Sequence, residues 1–331
     1  MRVLSAEILA GLFTFPDLVE CLRSAFREGA VAPVRHHHIV PLGEEPAATL
    51  LLMPAWNDMA AGSRSEAYLG VKIVAVYPGN AVRGKPSISG TYLLMAGATG
   101  ETLAVIDGSA LTLWRTAAAS ALAASYLAHT DSSRFLMVGA GALAPYLVAA
   151  HGSVRPIREV TVWNRNPESA ERLAADLCRD GFIARASSDL EGAAREADVI
   201  SCATLSAEPL VRGAWLKPGA HLDLVGAFTP AMRECDDEAA RRARVFVDTR
   251  AGALAEAGDI VQPLRSGAIG EDAIRGDLSE LCRGEVPGRR SAEEVTLFKS
   301  VGTALEDLAA ATWAYRRLDD ATEPDERGLR L

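Results

Sequence analysis

Three cations stand where an apolar chain has little use for them. Arg35 follows Pro33-Val34 at the start of a predicted strand, Lys72 sits inside the run Gly70 to Val76, and Arg115 interrupts the start of an otherwise apolar helix. A buried cation is costly unless it is paired or has a task. Two guanidinium forks and one ammonium suit a small carboxylate. Arg35 and Arg115 can grip it through parallel hydrogen bonds, and Lys72 can stand near the reacting carbon or nitrogen. The alternation of the strand equally allows Lys72 a wet face, where it would be an ordinary solvated side chain.

A second constellation follows the apolar run Phe135-Leu136-Met137-Val138, which ends in Gly139-Ala140-Gly141-Ala142-Leu143-Ala144. Gly139 tolerates an unusual φ, Gly141 lacks the Cβ that would hold a pyrophosphate off the backbone, and Ala144 lets a helix pack close to its strand. This Gly-x-Gly-x-x-Ala order is the dinucleotide fingerprint, in which amides at a helix N-terminus receive phosphates. Glycine pairs also close ordinary turns, so the context matters. Ile157 to Trp163 reads as the second strand of a βαβ unit and ends in Asn164-Arg165-Asn166, with no acid for a ribose 2′-hydroxyl. A guanidinium suits a 2′-phosphate that a carboxylate would repel, so NADP(H) is expected over NAD(H), with NAD(H) possible. The alternative is a solvated Arg165. The strand ends at Thr204 and Ala227 complete the expected cofactor contacts.

Two other clusters invite chemistry and are better explained without it. In His36-His37-His38 only the first and third residues of a strand share a face, and no Cys or acid stands at ligand spacing, so no metal is expected. Asp236-Asp237 opens a predicted helix, where acids cap and complement the dipole.

The elements that must position these groups fall into two textures. After a helical stretch between Ser5 and Gly29, short apolar runs between Pro and Gly signals continue to Ile106 and predict a mainly antiparallel sheet. A long helix from Leu111 to His129 leads to an alternation of strands and helices, the doubly wound α/β signature of a Rossmann domain. A last helix, from about Thr303 to Leu318, lies beyond the expected final strand and should return to the first domain. The expected division is 1–116 with 303–318 as a substrate and dimerisation domain, 117–302 as the NAD(P)-binding domain, and 319–331 as a charged, aperiodic, disordered tail.

A chain of 331 residues with 49% hydrophobic residues is long enough for two cores, and a net charge of −9 argues against a nucleic-acid surface. The longest nearly apolar stretch, Thr116 to Ala128, is too short to span a bilayer, and no signal peptide is read. Five scattered cysteines (Cys21, Cys178, Cys202, Cys235 and Cys282) form no Cys-x-x-Cys pair, which fits a reduced cytoplasmic setting. A sheet with too few helices to cover both faces points to a homodimer.

Assembled, these segments resemble the ornithine cyclodeaminase/mu-crystallin family from about Leu4 to Tyr315. The resemblance is carried by Pro33-Val34-Arg35, Leu69 to Val74, Leu113 to Ala118, the Gly139 to Ala144 loop, Val162 to Arg165, Glu208-Pro209, Leu216 to His221 and Phe298 to Gly302. It implies a Rossmann domain joined to a dimerisation and substrate domain, with Arg35, Lys72 and Arg115 at the substrate-binding positions. Two departures stand out: Leu143 replaces a common Gln, and Phe228 stands where cyclodeaminases carry an acid. The segment Gly226 to Glu234 is similar to the Δ1-pyrroline-2-carboxylate and Δ1-piperideine-2-carboxylate reductase branch. The resemblance therefore implies reduction of a cyclic 2-imino acid to L-proline or L-pipecolate, with Lys72 protonating the imine and the cofactor providing hydride. Ornithine cyclodeaminase or alanine dehydrogenase activity is an alternative, and a non-catalytic mu-crystallin-like binding protein is one of another class.

Overall fold

The computed structural model describes residues 1–43, 45–57 and 67–322. In chain order the elements are β1 (Arg2–Leu4), α1 (Ala6–Leu12), α2 (Phe15–Glu28), β2 (His36–Leu42), β3 (Glu45–Trp56), β4 (Tyr68–Val76), β5 (Ile88–Ala96), β6 (Thr102–Asp107) and α3 (Gly108–Leu127). There follow β7 (Arg134–Val138), α4 (Ala144–Val154), β8 (Glu159–Trp163), α5 (Pro167–Arg179), β9 (Ile183–Ala186), α6 (Leu190–Glu196), β10 (Val199–Cys202), β11 (His221–Leu224), α7 (Asp237–Arg242), β12 (Arg244–Val247), α8 (Arg250–Glu256), α9 (Gly258–Arg265), β13 (Ile274–Asp277), α10 (Leu278–Arg283), β14 (Thr296–Lys299) and α11 (Ala304–Thr322). The chain divides into two compact units, one of residues 1–21, 28–115 and 304–331, the other of 22–27 and 116–303.

The first unit is built on a six-stranded sheet of order β1-β6-β5-β4-β3-β2, antiparallel except for β1, which lies parallel to β6. Its strands alternate. Met53, Lys72, Tyr92, Ile106 and Leu4 form one cross-strand row, and every one of them is buried. The adjacent row on the other face, with Pro54, Val71, Leu93 and Val105, is only half-buried. Helix α11 packs against β3, β4 and β5. It runs four residues past Leu318, to Thr322, because nothing breaks a helix before Pro324; residues 323–331 of the expected tail lie outside the described residues.

The second unit is an eight-stranded, wholly parallel sheet of order β13-β12-β14-β11-β10-β7-β8-β9. Strand order reverses about β7 and β10, which opens a crevice at their carboxyl ends. β10, β11 and β14 are buried along their whole length, as strands covered on both faces must be. Among the described residues no helix is long and apolar enough to cross a membrane.

Candidate functional site

In the first unit, strand alternation turns Lys72 inward, so the wet-face alternative fails: the side chain is 2% exposed. Its Nζ donates to Asp307 Oδ1 at 2.8 Å and to Thr112 Oγ1 at 3.3 Å. Arg115, also buried, donates from Nε to the same Asp307 oxygen at 3.0 Å and from its terminal nitrogen to Glu306 at 2.5 Å. Two cations and two carboxylates thus balance inside an apolar core, the condition under which buried charges are tolerated. Burial and the nearby Arg115 charge outweigh the pull of Asp307, and Arg35 adds to them. The Lys72 ammonium is brought down from its ordinary value to about 8. Arg35 itself is half-buried just before β2, close enough for its charge to act on Lys72. The three predicted cations therefore share one neighbourhood.

Tyr92 stands directly opposite Lys72 on β5, fully buried. Its hydroxyl occupies the space that a Cβ on Gly70 would need, which accounts for glycine at that position. Burial and the Asp307 charge hold the phenol proton on well above the usual range. Glu306, Asp307, Tyr92 and Thr112 had no place in the sequence reading. The one available signal was a pair of adjacent acids in a helix otherwise lined by Leu305, Leu308, Ala310 and Ala311.

In the second unit, Gly139 adopts φ +112°, and a Cβ there would come within 2.7 Å of the Ala203 carbonyl oxygen. A Cβ on Gly141 would meet nothing within 4 Å, so that backbone faces open space. Together with Ala140, Trp163, Asn164, Arg165, Thr204 and Ser206, the two glycines line a cleft of about 260 Å³ at the ends of β7, β8 and β10. A bare glycine backbone and a helix start facing a cleft at the switch point fit the pyrophosphate of a nicotinamide dinucleotide. Arg165 is exposed at its rim. Asn164 donates to the Asn166 carbonyl, and the Asn166 side chain caps α5 by accepting from Glu168 N; that cap accounts for Asn166 without a cofactor. Ala142 and Leu143 precede α4, whose first residue, Ala144, is buried against the sheet.

Ala227 is buried and does not line the cleft; its backbone is tied to Thr204 through Glu234. The Glu234 carboxylate accepts from Thr204 N at 2.6 Å and Thr204 Oγ1 at 2.8 Å on one oxygen, and from Gly226 N at 2.8 Å and Ala227 N at 3.2 Å on the other. Burial raises its pKa, opposed by the Lys299 charge and reinforced by Asp259. Asp223 is equally committed, accepting from Ser120, Ser201 and His151 inside the parallel sheet. Neither acid is therefore at liberty to replace the one missing at Phe228, which is half-buried in the loop after β11.

Asp236 caps α7 through Ala239 N. His36 and His38 share a face of exposed edge strand β2 with ring centroids 6.3 Å apart, and no group of three metal-ligating side chains occurs among the described residues.

The sequence profile of the ornithine cyclodeaminase/mu-crystallin family matches residues 5–322. The chain belongs to this family. It is 36% identical to the Δ1-pyrroline-2-carboxylate reductase of Colwellia psychrerythraea over 97% of this chain and all of that one. It is 38% identical to the ketimine reductase mu-crystallin of Rattus norvegicus, covering 87% of this chain and 85% of the relative. Among solved structures, the Thermococcus litoralis Δ1-pyrroline-2-carboxylate reductase in complex with NADH and L-proline superposes with a TM-score of 0.90 at 33% identity, covering 97% and 98% of the two chains.

Proposed function

We propose that this protein reduces a cyclic 2-imino acid, Δ1-pyrroline-2-carboxylate or its six-membered homologue, to the corresponding cyclic amino acid. The observation that carries the reading is the buried Lys72 ammonium, held between Asp307 and Thr112 and brought down to about 8. A proton donor works best when its pKa lies near the working pH. The Arg35 and Arg115 guanidinium groups hold the substrate carboxylate, and Lys72 delivers a proton to the imine nitrogen. A nicotinamide cofactor held by the Gly139–Gly141 cleft would supply the hydride that C2 accepts, so that C=N becomes CH–NH with one hydride and one proton consumed. Protonation must precede or accompany hydride addition, because an iminium carbon accepts hydride far more readily than a neutral imine.

The cofactor half of the proposal is a preference for NADP(H). Its support is the absence of an acid at the end of β8 and the exposed Arg165 on the cleft rim. The Thermococcus litoralis relative is solved in complex with NADH, the non-phosphorylated form. The assembly proposed is a homodimer in the cytoplasm, and the support for the dimer is the apolar row Val71, Leu93 and Val105, left half-buried on the second face of the sheet; a monomeric mass by light scattering at micromolar concentration would count against it.

Following NADPH absorbance with the five- and six-membered imino acids, and with pyruvate plus ammonia, tests the reaction. Turnover of an imino acid, lost by ~10²-fold or more in Lys72→Ala, is expected. Near-normal turnover of that variant with an unchanged pH profile would remove Lys72 from the mechanism. Stabilisation by NADPH with no oxidation by any imino acid would instead favour a ligand-binding protein.

A further inference from the structure

Three buried charges meet behind the cofactor cleft. Glu234, Asp259 and Lys299 are all 0% exposed. Asp259 Oδ1 accepts from the backbone N–H groups of Glu234 and Cys235 at 2.7 and 3.0 Å, which fixes the backbone that carries Glu234. Lys299 Nζ lies 3.2 Å from Asp259 Oδ2, an ion pair without hydrogen-bond alignment. The Glu234 side chain then spans two loops, the one after β10 through Thr204 and the one after β11 through Gly226 and Ala227. Those loops are packed so closely that a Cβ on Gly226 would collide with the Thr204 backbone and with Glu234 itself.

A dinucleotide on a doubly wound sheet is split across the switch point, with one nucleotide on each side. The adenosine side is the β7–β8 side, with the glycine loop and Arg165. The wall on the other side is made by the loops after β10 and β11, and Thr204 lines the cleft there. Left alone, these two loops end strands at backbone N–H groups with no ladder partners. A single carboxylate satisfies three of those groups and one hydroxyl.

We propose that Glu234 is a positioning residue for the nicotinamide half of the cofactor site, clamping the β10 and β11 loops into one rigid wall without touching cofactor or substrate. The proposal rests on a nicotinamide dinucleotide occupying the cleft, and not on which imino acid is reduced. Replacing Glu234 by Gln keeps the volume but turns an N–H₂ group toward backbone donors, so one of the two loops loses its acceptor. The adenosine side keeps all of its contacts.

The test is equilibrium binding by protein fluorescence, using the reduced dinucleotide that the wild-type protein prefers and the matching adenosine half, adenosine 2′,5′-bisphosphate or AMP. For Glu234→Gln the dinucleotide should bind at least ~10-fold more weakly while the adenosine half stays within about twofold. Should that variant fail to fold, as judged by circular dichroism and loss of a cooperative thermal transition, Glu234→Asp carries the test. It keeps the charge beside Lys299 and Asp259 but cannot reach both loops, and the same split in smaller measure is expected. Equal weakening of both probes, or of neither, in a folded variant would overturn the proposal. A clear split in a protein that reduces no imino acid would leave the clamp standing and remove only the assigned reaction.

Discussion

Asp307→Asn separates the role of Lys72 from that of its surroundings. Asp307 is a carboxylate that both Lys72 and Arg115 reach, at 2.8 and 3.0 Å. Its charge works against burial and against Arg115, both of which depress the ammonium. At 2.8 Å the gross attraction is ~6 kcal/mol with an effective dielectric of about 20, most of it offset by lost hydration. The net effect of an opposite charge at such range is a shift of ~1–3 pKa units, or ~1.4–4 kcal/mol in the balance between ammonium and amine. Removing the charge therefore lowers the Lys72 pKa further below about 8. Protonated Lys72 is the active form, so activity falls as pH rises through its pKa. The alkaline limb of the kcat profile should move to lower pH by that amount, and turnover at neutral pH should drop. Comparing the variant with wild type on one substrate cancels the ionisation of the imine itself. Loss of one partner of a buried pair also costs ~3–5 kcal/mol of stability, so thermal unfolding and NADPH binding must be recorded in parallel. A folded, cofactor-binding variant whose alkaline limb has not moved would refute the reasoning, because the group titrating in the profile could not be one that Asp307 touches.

Other expectations follow from the same geometry. Arg165→Ala should weaken NADPH by ~10-fold or more and NADH little, since a charge-assisted phosphate contact is worth ~1.5–3 kcal/mol; equal losses in the two Kd values would dissociate Arg165 from a 2′-phosphate. Gly139→Ala combines a positive φ with a Cβ placed 2.7 Å from the Ala203 carbonyl, so dinucleotide binding should be lost and the midpoint of thermal unfolding should fall. L-Ornithine should give negligible ammonia and proline with catalytic NAD, because Phe228 cannot shuttle protons and both Glu234 and Asp223 are committed to hydrogen bonds. Ammonia release at rates comparable with imine reduction would show that another acid takes that part.

What the sequence determined by itself was local. The glycine loop, the strand periods and the three misplaced cations are each decided by φ requirements, side-chain alternation or desolvation within a few residues, and they were legible together with the two-texture layout. Short buried strands were harder: β13 and β14 have four residues each and no period to read, and β14 enters the sheet between β11 and β12, far from its neighbours in sequence. Whether Lys72 was wet or buried needed the covering helix, since alternation assigns a face without saying what packs on it. Tertiary structure alone decided the partners of the cations. Glu306 and Asp307 lie about 190 residues beyond Arg115 and look like ordinary first-turn acids until the fold brings α11 against β4. The same holds for Glu234, whose carboxylate is held by four donors from two separate loops, with the Lys299 charge opposing the effect of burial, and no short window of sequence contains them all.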